Sequence, residues 1–321
     1  MARKRVQERK KGQGSNIKLF AITFVAVFGI LTGITLFLVY PTGPSIYHFP
    51  ENMTVFQTWI SSQDWMQLVP YNAMTASAIN ISGANSVGIT SVSNFFLNIY
   101  QIRMGLTDRN LTFIAGYELP PSSPLANSTE INFLKPTPFS YNLIYQKLNS
   151  TPTVVKEYYR GFTIFDIFNN DTVTRTLTAG RLFFYNGYIV YTQGSKNPSA
   201  DIQLAINAIV GKYKSLFANE TVQKAIYAAM GGRTSFLALY YLNFPTQVSG
   251  SEIASKAVLL TSKGFMAIYA VGFESQSSSL QHFNTFKRTY EYGSSYYIMD
   301  NFDVANIPYT AQEVGPQLQG F

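Results

Sequence analysis

Apolar residues recur along the chain with two periods, near 3.6 and near two, and the switches between them mark the predicted elements. One stretch obeys neither. Residues 19–40, LFAITFVAVFGILTGITLFLVY, are 22 positions without a charge. As a helix rising about 1.5 Å per residue they reach roughly 33 Å, enough to cross a hydrocarbon core of about 30 Å. The run is longer than the apolar core of a cleaved signal peptide, and no small-residue cleavage motif follows it. It is therefore read as an uncleaved transmembrane anchor. Gly29 and Gly33 inside it have G-x-x-x-G spacing and are read as glycines tolerated in a membrane helix. Residues 41–50, PTGPSIYHFP, hold three prolines and read as a stiff spacer, with His48 incidental to it.

Beyond the spacer, Val55, Phe56, Trp59 and Leu68 keep helical spacing over 53–68 until Pro70 ends the pattern. Strands are predicted at 75–82, 111–119, 159–168, 234–243 and 295–300. Helices are predicted at about 86–101, with Val92, Phe95, Phe96 and Ile99 on one face, and at 138–148. Two more follow at 200–217 and 220–230, the second stopped by Gly231-Gly232. Asn186-Gly187 between two β-rich runs marks a hairpin over 181–192. Another hairpin, AVLLTSKGFMAIYAVGF, turns near Gly264 and leads to a helix that aligns Leu280, Phe283, Phe286 and Tyr290. The Pro/Ser-rich stretch 120–137 reads as a long loop and a domain boundary. Hairpin-then-helix thus occurs at 181–217 and again at 257–291. The expected fold class is α+β: an N-terminal transmembrane helix, then an extracytoplasmic domain of antiparallel sheet with packed helices in two related lobes. The lobes are placed at 51–137 and 138–306, with a frayed tail at 307–321.

Charge fixes the orientation. The net charge is +7, but Arg3, Lys4, Arg5, Arg9, Lys10, Lys11 and Lys18 in residues 1–18 account for nearly all of it, against Glu8 alone. A nucleic-acid module carries its basic stripe on the folded domain, so no nucleic-acid partner is expected. Basic residues before the anchor keep the leader in the cytoplasm and place the rest outside, with the bilayer as partner through 19–40. The chain contains no cysteine and two histidines, which excludes disulfides, thiolate metal sites and a cysteine nucleophile. No metal and no cofactor are expected.

The outer region carries N-x-S/T sequons at Asn52, Asn80, Asn110, Asn127, Asn149, Asn170 and Asn219, which are candidate glycosylation sites. Asn52 has a structural rival as a helix cap. Only about 12% of this region is charged, roughly half the usual soluble fraction. A surface of uncharged hydrogen-bonding groups keeps its interactions in acid, where carboxylates are neutral. Cysteine-free, charge-poor, rich in Tyr, Asn, Ser, Thr and Ile and dense in sequons, the region resembles in composition the exported single-span proteins of thermoacidophilic archaea. That resemblance implies a habitat and no activity.

Catalytic signatures are missing: there is no phosphate-binding loop, dinucleotide fingerprint, G-x-S-x-G or H-E-x-x-H. His282, beside Phe283 on a predicted helix, reads as a rim residue. Paired carboxylates are the apparatus that works in acid, and Asp300 with Asp303 form the nearest pair, followed by the cluster Asp166, Asn170 and Asp171. Both also suit ordinary turns. Tyr158-Tyr159, Tyr240-Tyr241 and Tyr296-Tyr297 put aromatics on both faces of strands. The expected function is a membrane-anchored, N-glycosylated cell-surface protein, a non-catalytic envelope component or accessory subunit of a membrane complex. The alternatives are an extracytoplasmic hydrolase using the carboxylate pair and a surface receptor with a tyrosine-lined, charge-poor pocket between the lobes.

Overall fold

Within Ile253–Thr261 (IASKAVLLT) and Gly264–Gly272 (GFMAIYAVG), residues 257–259 and 270–272 are buried at successive positions, so the sheet is covered on both sides there. The computed structural model describes residues 44–89, 106, 110–121, 129–171, 176–193, 198–243 and 246–318. Their elements are β1 (Ser45–Tyr47), α1 (Thr54–Ser62), α2 (Asp64–Gln67), β2 (Thr75–Ile79), α3 (Ile81–Ser86), β3 (Leu111–Leu119) and β4 (Thr129–Pro136). Next come α4 (Pro138–Ser150), β5 (Lys156–Tyr159), β6 (Phe162–Asp171), β7 (Thr176–Tyr185), β8 (Tyr188–Gln193) and α5 (Pro198–Ile209). A 3-10 turn at Leu216–Ala218 leads to α6 (Glu220–Met230), β9 (Ala238–Leu242), β10 (Ile253–Thr261) and β11 (Gly264–Gly272). The chain ends with α7 (Gln276–Thr289), β12 (Ser295–Met299), β13 (Phe302–Tyr309) and α8 (Ala311–Leu318).

The fold is mixed α+β, built on one antiparallel-rich sheet. Among the described residues thirteen strands run in the order β1-β12-β13-β11-β10-β9-β2-β3-β4-β8-β7-β6-β5, with only β1 parallel to its neighbour. A large core on one face gathers residues of α1, α2, α5 and α6. The other face carries two smaller clusters, one under α3, α4 and α8 and one under α7.

The sheet order contains a repeat. From the central β2–β9 pair outward, one side reads β2-β3-β4-β8-β7 and the other β9-β10-β11-β13-β12. In each half the third strand leads to a helix on the same face, α4 or α7, and a hairpin then returns beside that strand. The two halves therefore equate α4 with α7, and the hairpin at 181–192 corresponds to β12–β13 rather than to β10–β11. The expected lobe boundary at 137/138 falls inside one continuous sheet, since β4 pairs with β8.

Several expectations shift for identifiable reasons. Residues 129–136, read as part of a loop, are an interior strand whose Ile131–Leu134 are all buried, so period-two alternation is absent. The strand expected at 159–168 is present as β6 from Phe162 onward, and its first residues are the end of β5 and a two-residue turn with positive dihedrals at Arg160 (φ 48°) and Gly161 (φ 85°). Asn186-Gly187 turns β7 into β8 as expected, with φ of 45° and 80°.

Helix α5 stops at Ile209 and Gly211 follows with φ of 74°, so Tyr213 and Leu216 leave the helical stripe. Strand β2 ends at Ile79 because the Asn80 side chain accepts from the Gly83 N–H and starts α3. Strand β9 is limited to Ala238–Leu242 of the expected 234–243. The expected tail is the second half of β13 followed by α8, whose Val314 and Leu318 are wholly buried. Thr310 N–H and hydroxyl both donate to Glu313, fixing the start of that helix.

The spacer is likewise docked: Ser45–Tyr47 pairs with β12. The anchor at 19–40 and most of the helix expected at 86–101 lie outside the described residues. Among the described residues no helix is long and apolar enough to cross a membrane.

Candidate functional site

The face that carries two separate clusters is left uncovered between them. One register row crosses it: Ser77 pairs with Tyr240, Tyr240 with Lys256, and Lys256 with Tyr269. Because side chains alternate along each strand, these four point to one side. Tyr240, Lys256 and Tyr269 of this row border a cavity of 660 Å³ walled by Thr289 and Tyr290 at the end of α7 and by Thr246 and Gln247 of the β9–β10 loop. That loop is braced internally. Ser251 Oγ donates to the Val248 carbonyl at 2.7 Å, and the Thr246 and Ser251 hydroxyls lie 2.9 Å apart.

Lys256 is the charged residue in this lining. Its ammonium sits 5.2 Å from the Tyr269 ring centroid, and Tyr269 packs against Tyr290 with centroids 4.7 Å apart. Burial pushes the Lys256 ammonium down to about 8, because desolvation disfavours its charged form. Burial raises the phenols of Tyr240, Tyr269 and Tyr290, helped at Tyr240 by the charge of Glu118. The tyrosines thus remain neutral donors, and the cavity offers one cation among aromatic walls. The sequence signal for it was a single lysine within the otherwise uncharged strand Ile253–Thr261.

A second cavity of 410 Å³ opens on the opposite face at one end of the sheet. It is lined by Trp59, Gln63 and Trp65 from α1, α2 and their junction, and by Asn80 and Ser82 at the start of α3. Thr112, Phe113, Lys135 and Tyr188 of β3, β4 and β8 and residues 234–236 complete it.

The expected carboxylate pair separates. Asp300 lies in the β12–β13 turn with φ of 51°, accepting from the Phe49 N–H and standing 2.6 Å from His48 Nδ1. Burial is the largest single influence and raises its carboxyl, but the His48 and Phe49 hydrogen bonds, with the charge of Lys224, together outweigh this and hold it below the usual range. His48 is therefore a clasp for the docked β1. Asp303 is fully buried under α7, accepts from the Ser279 hydroxyl, and is pushed up to about 7 by desolvation. The two acids share no partner among the described residues.

Asp166 joins Arg181, which also binds Glu157, in a cross-strand ion cluster. Asn170 and Asp171 lie in β6. No group of three or more potential metal ligands occurs among the described residues. His282 stacks on Phe273 at 5.6 Å and is half-buried, a rim position.

Of the sequon asparagines, Asn52, Asn149 and Asn219 are exposed, Asn80 and Asn110 are half-buried, Asn170 lies in β6, and Asn127 falls outside the described residues. Asn52 accepts from the Thr54 N–H at 2.9 Å and Asn219 from the Thr221 N–H at 2.8 Å, so both also cap helices.

No family model matches the chain, and no curated protein does. Among solved structures it is similar to TP0453 in crystal forms IV and III, each with a TM-score of 0.47 and 10% identity. The match covers 81% of this chain and 98% or 100% of those chains. Crystal form I of TP0453 gives a TM-score of 0.46 at 9% identity.

Proposed function

We propose that the chain is a membrane-anchored, outward-facing, N-glycosylated binding protein without catalysis, which captures a small organic anion in the Lys256 hollow. The uncharged run 19–40 behind a basic leader supports the anchor and its orientation. The observation that carries the binding reading is a half-buried ammonium set among three tyrosines at the mouth of a 660 Å³ cavity. An anion there adds a charge-assisted hydrogen bond to the ammonium, while the rings pack on its apolar body. The carboxylate-hydrolase reading is less favoured because Asp300 and Asp303 go to different partners. A role as accessory subunit draws support from Phe139 and Leu143, one turn apart on α4 and 77% and 54% exposed.

Benzoate, a planar anion, and benzyl alcohol, its neutral counterpart, test the reading by calorimetric titration of the full chain in detergent. Benzoate is expected to bind at least tenfold tighter than the alcohol, and Lys256→Met to abolish that preference. Affinity should hold up to about pH 8 and fall above it as Lys256 loses its proton. Equal affinity for the two compounds, or binding of neither, would show the reading wrong.

A further inference from the structure

Both tryptophans of the chain, Trp59 and Trp65, line the second cavity together with Phe113 and Phe236. Their rings surround the space at varied angles: Trp59 meets Phe236 at 6.3 Å edge-on, Phe113 meets Phe236 at 6.3 Å, and Trp65 meets Phe113 at 6.1 Å, tilted. Between the rings stand side chains that both donate and accept without charge, among them Gln63, Asn80, Ser82 and Ser235. The Trp65 indole N–H, buried with its residue only 1% exposed, has no hydrogen-bond partner among the described residues. Among the described residues no acid lines the cavity, and the lining cation Lys135 is held 4.9 Å over the Tyr188 ring.

This chemistry selects a ligand. A charged ligand finds little to pair with, and a purely apolar one strands the amide and hydroxyl groups. A sugar ring meets both demands, since its C–H faces pack on aromatic rings and its hydroxyls donate and accept around the edge. The volume of 410 Å³ lies in the range of about 300–1,000 Å³ usual for small-molecule sites. We infer that this cavity is a saccharide-binding site for a neutral mono- or disaccharide, with Trp59 and Phe236 as stacking walls and Gln63 and Ser235 as hydroxyl readers. It is separate from the Lys256 hollow and does not depend on the anion reading. The sugar has two sources, a free saccharide or a glycan attached at Asn80, whose sequon Asn80-Ile81-Ser82 borders the same cavity.

Because both tryptophans border the site, their fluorescence reports its occupancy. The full chain, made in a host without N-glycosylation and held in a sugar-free detergent, is titrated with maltose, cellobiose and chitobiose, with sorbitol as acyclic control. At least one disaccharide is expected to give a saturable spectral change while sorbitol gives none. Gln63→Ala with Ser235→Ala should weaken that binding at least tenfold without moving the unliganded emission maximum. Burial, helped by the charge of Asp64, pushes the Tyr188 phenol up to about 12, so that lining hydroxyl stays protonated throughout the titration.

No saturation by any of the three sugars, equal response to sorbitol, or unchanged affinity in the double variant overturns the inference. The source is decided on chain from its own membranes. A glycan at Asn80 that blocks added disaccharide, with enzymatic release of that glycan restoring binding, identifies the attached sugar. An unmodified Asn80 with unblocked binding identifies a free one.

Discussion

The two halves of the sheet share strand order and helix placement, yet among the described residues the tyrosine hollow lies in the second half only. Mapping one half onto the other through the central Ser77–Tyr240 pair equates Ser77 with Tyr240, Gly116 with Lys256 and Asn132 with Tyr269. The row that is cationic and aromatic in the second half is small and polar in the first. A Cβ added at Gly116 would lie 3.0 Å from Asn132 Oδ1 and 3.1 Å from the Ile131 carbonyl oxygen, so that position is already filled by its neighbours. The scaffold is repeated, and the chemistry sits in single side chains placed on one copy of it.

The helices that cover the two halves sharpen the contrast. Helix α7 buries Ser279, Phe283 and Phe286, whereas α4 buries only Ser140 fully and packs through the half-buried Tyr141, Ile144 and Leu148. Phe286→Ala is expected to cost about 3–5 kcal/mol, and Ile144→Ala roughly 1–2 kcal/mol because less of it leaves water on folding. Urea midpoints at an unchanged slope measure both. Equal losses would mean that the two helices carry the same load despite their different burial.

A second asymmetry is titratable. Asp303 sits under α7, and the position equivalent to it in the first half, on β8, contributes no buried acid among the described residues. Its folded value of about 7 lies above the unfolded value near 4, so the native state binds the extra proton between those limits. Stability is therefore greatest below the unfolded value and is lost as pH rises through about 7, a change on the order of 4 kcal/mol. Asp300 and Glu313 act in the opposite sense, since their depressed values make their support vanish as pH falls below the ordinary carboxylate range. Chemical denaturation from pH 4 to pH 8 should show the decline, and Asp303→Asn should flatten it while keeping an acceptor for Ser279. A slope that survives in Asp303→Asn assigns the effect elsewhere. Greater stability in mild acid fits the charge-poor surface read from the sequence.

How far such features are legible in sequence depends on where their information lies. The Asn186-Gly187 turn, the stop of α6 at Gly231 and the stripe of Phe283, Phe286 and Tyr290 are local, set by residues within a turn or two, and each was readable. Strand β4 was not, because burial on both faces erases alternation and the Pro/Ser stretch before it reads as loop. The repeat was sensed but framed wrongly, since any hairpin before a helix looks alike until its sheet neighbour is known. The Lys256 hollow needs three strands in register, information that no local pattern carries. The Asp300–Asp303 pair failed for the converse reason: proximity in sequence put two acids near one turn, and the fold turned one outward to His48 and the other inward to Ser279.

The outermost strands mark where the halves diverge most, and the smallest effect is expected there. The first half extends through the β5–β6 hairpin, the second by the parallel β1. Strand β1 is short and exposed along its length, and it is held by the Asp300 N–H to Tyr47 carbonyl bond at 2.9 Å and by the His48–Asp300 clasp. The clasp side chains are 74% and 38% exposed, so water and salt screen them. His48→Ala is expected to cost no more than about 1 kcal/mol, with the loss shrinking in high salt. Amide exchange at Tyr47 and Phe49 should quicken while exchange in β13 stays unchanged. A loss several times larger, or exchange that spreads into β13, would make β1 an integral strand of the second half rather than an edge added to a repeated scaffold.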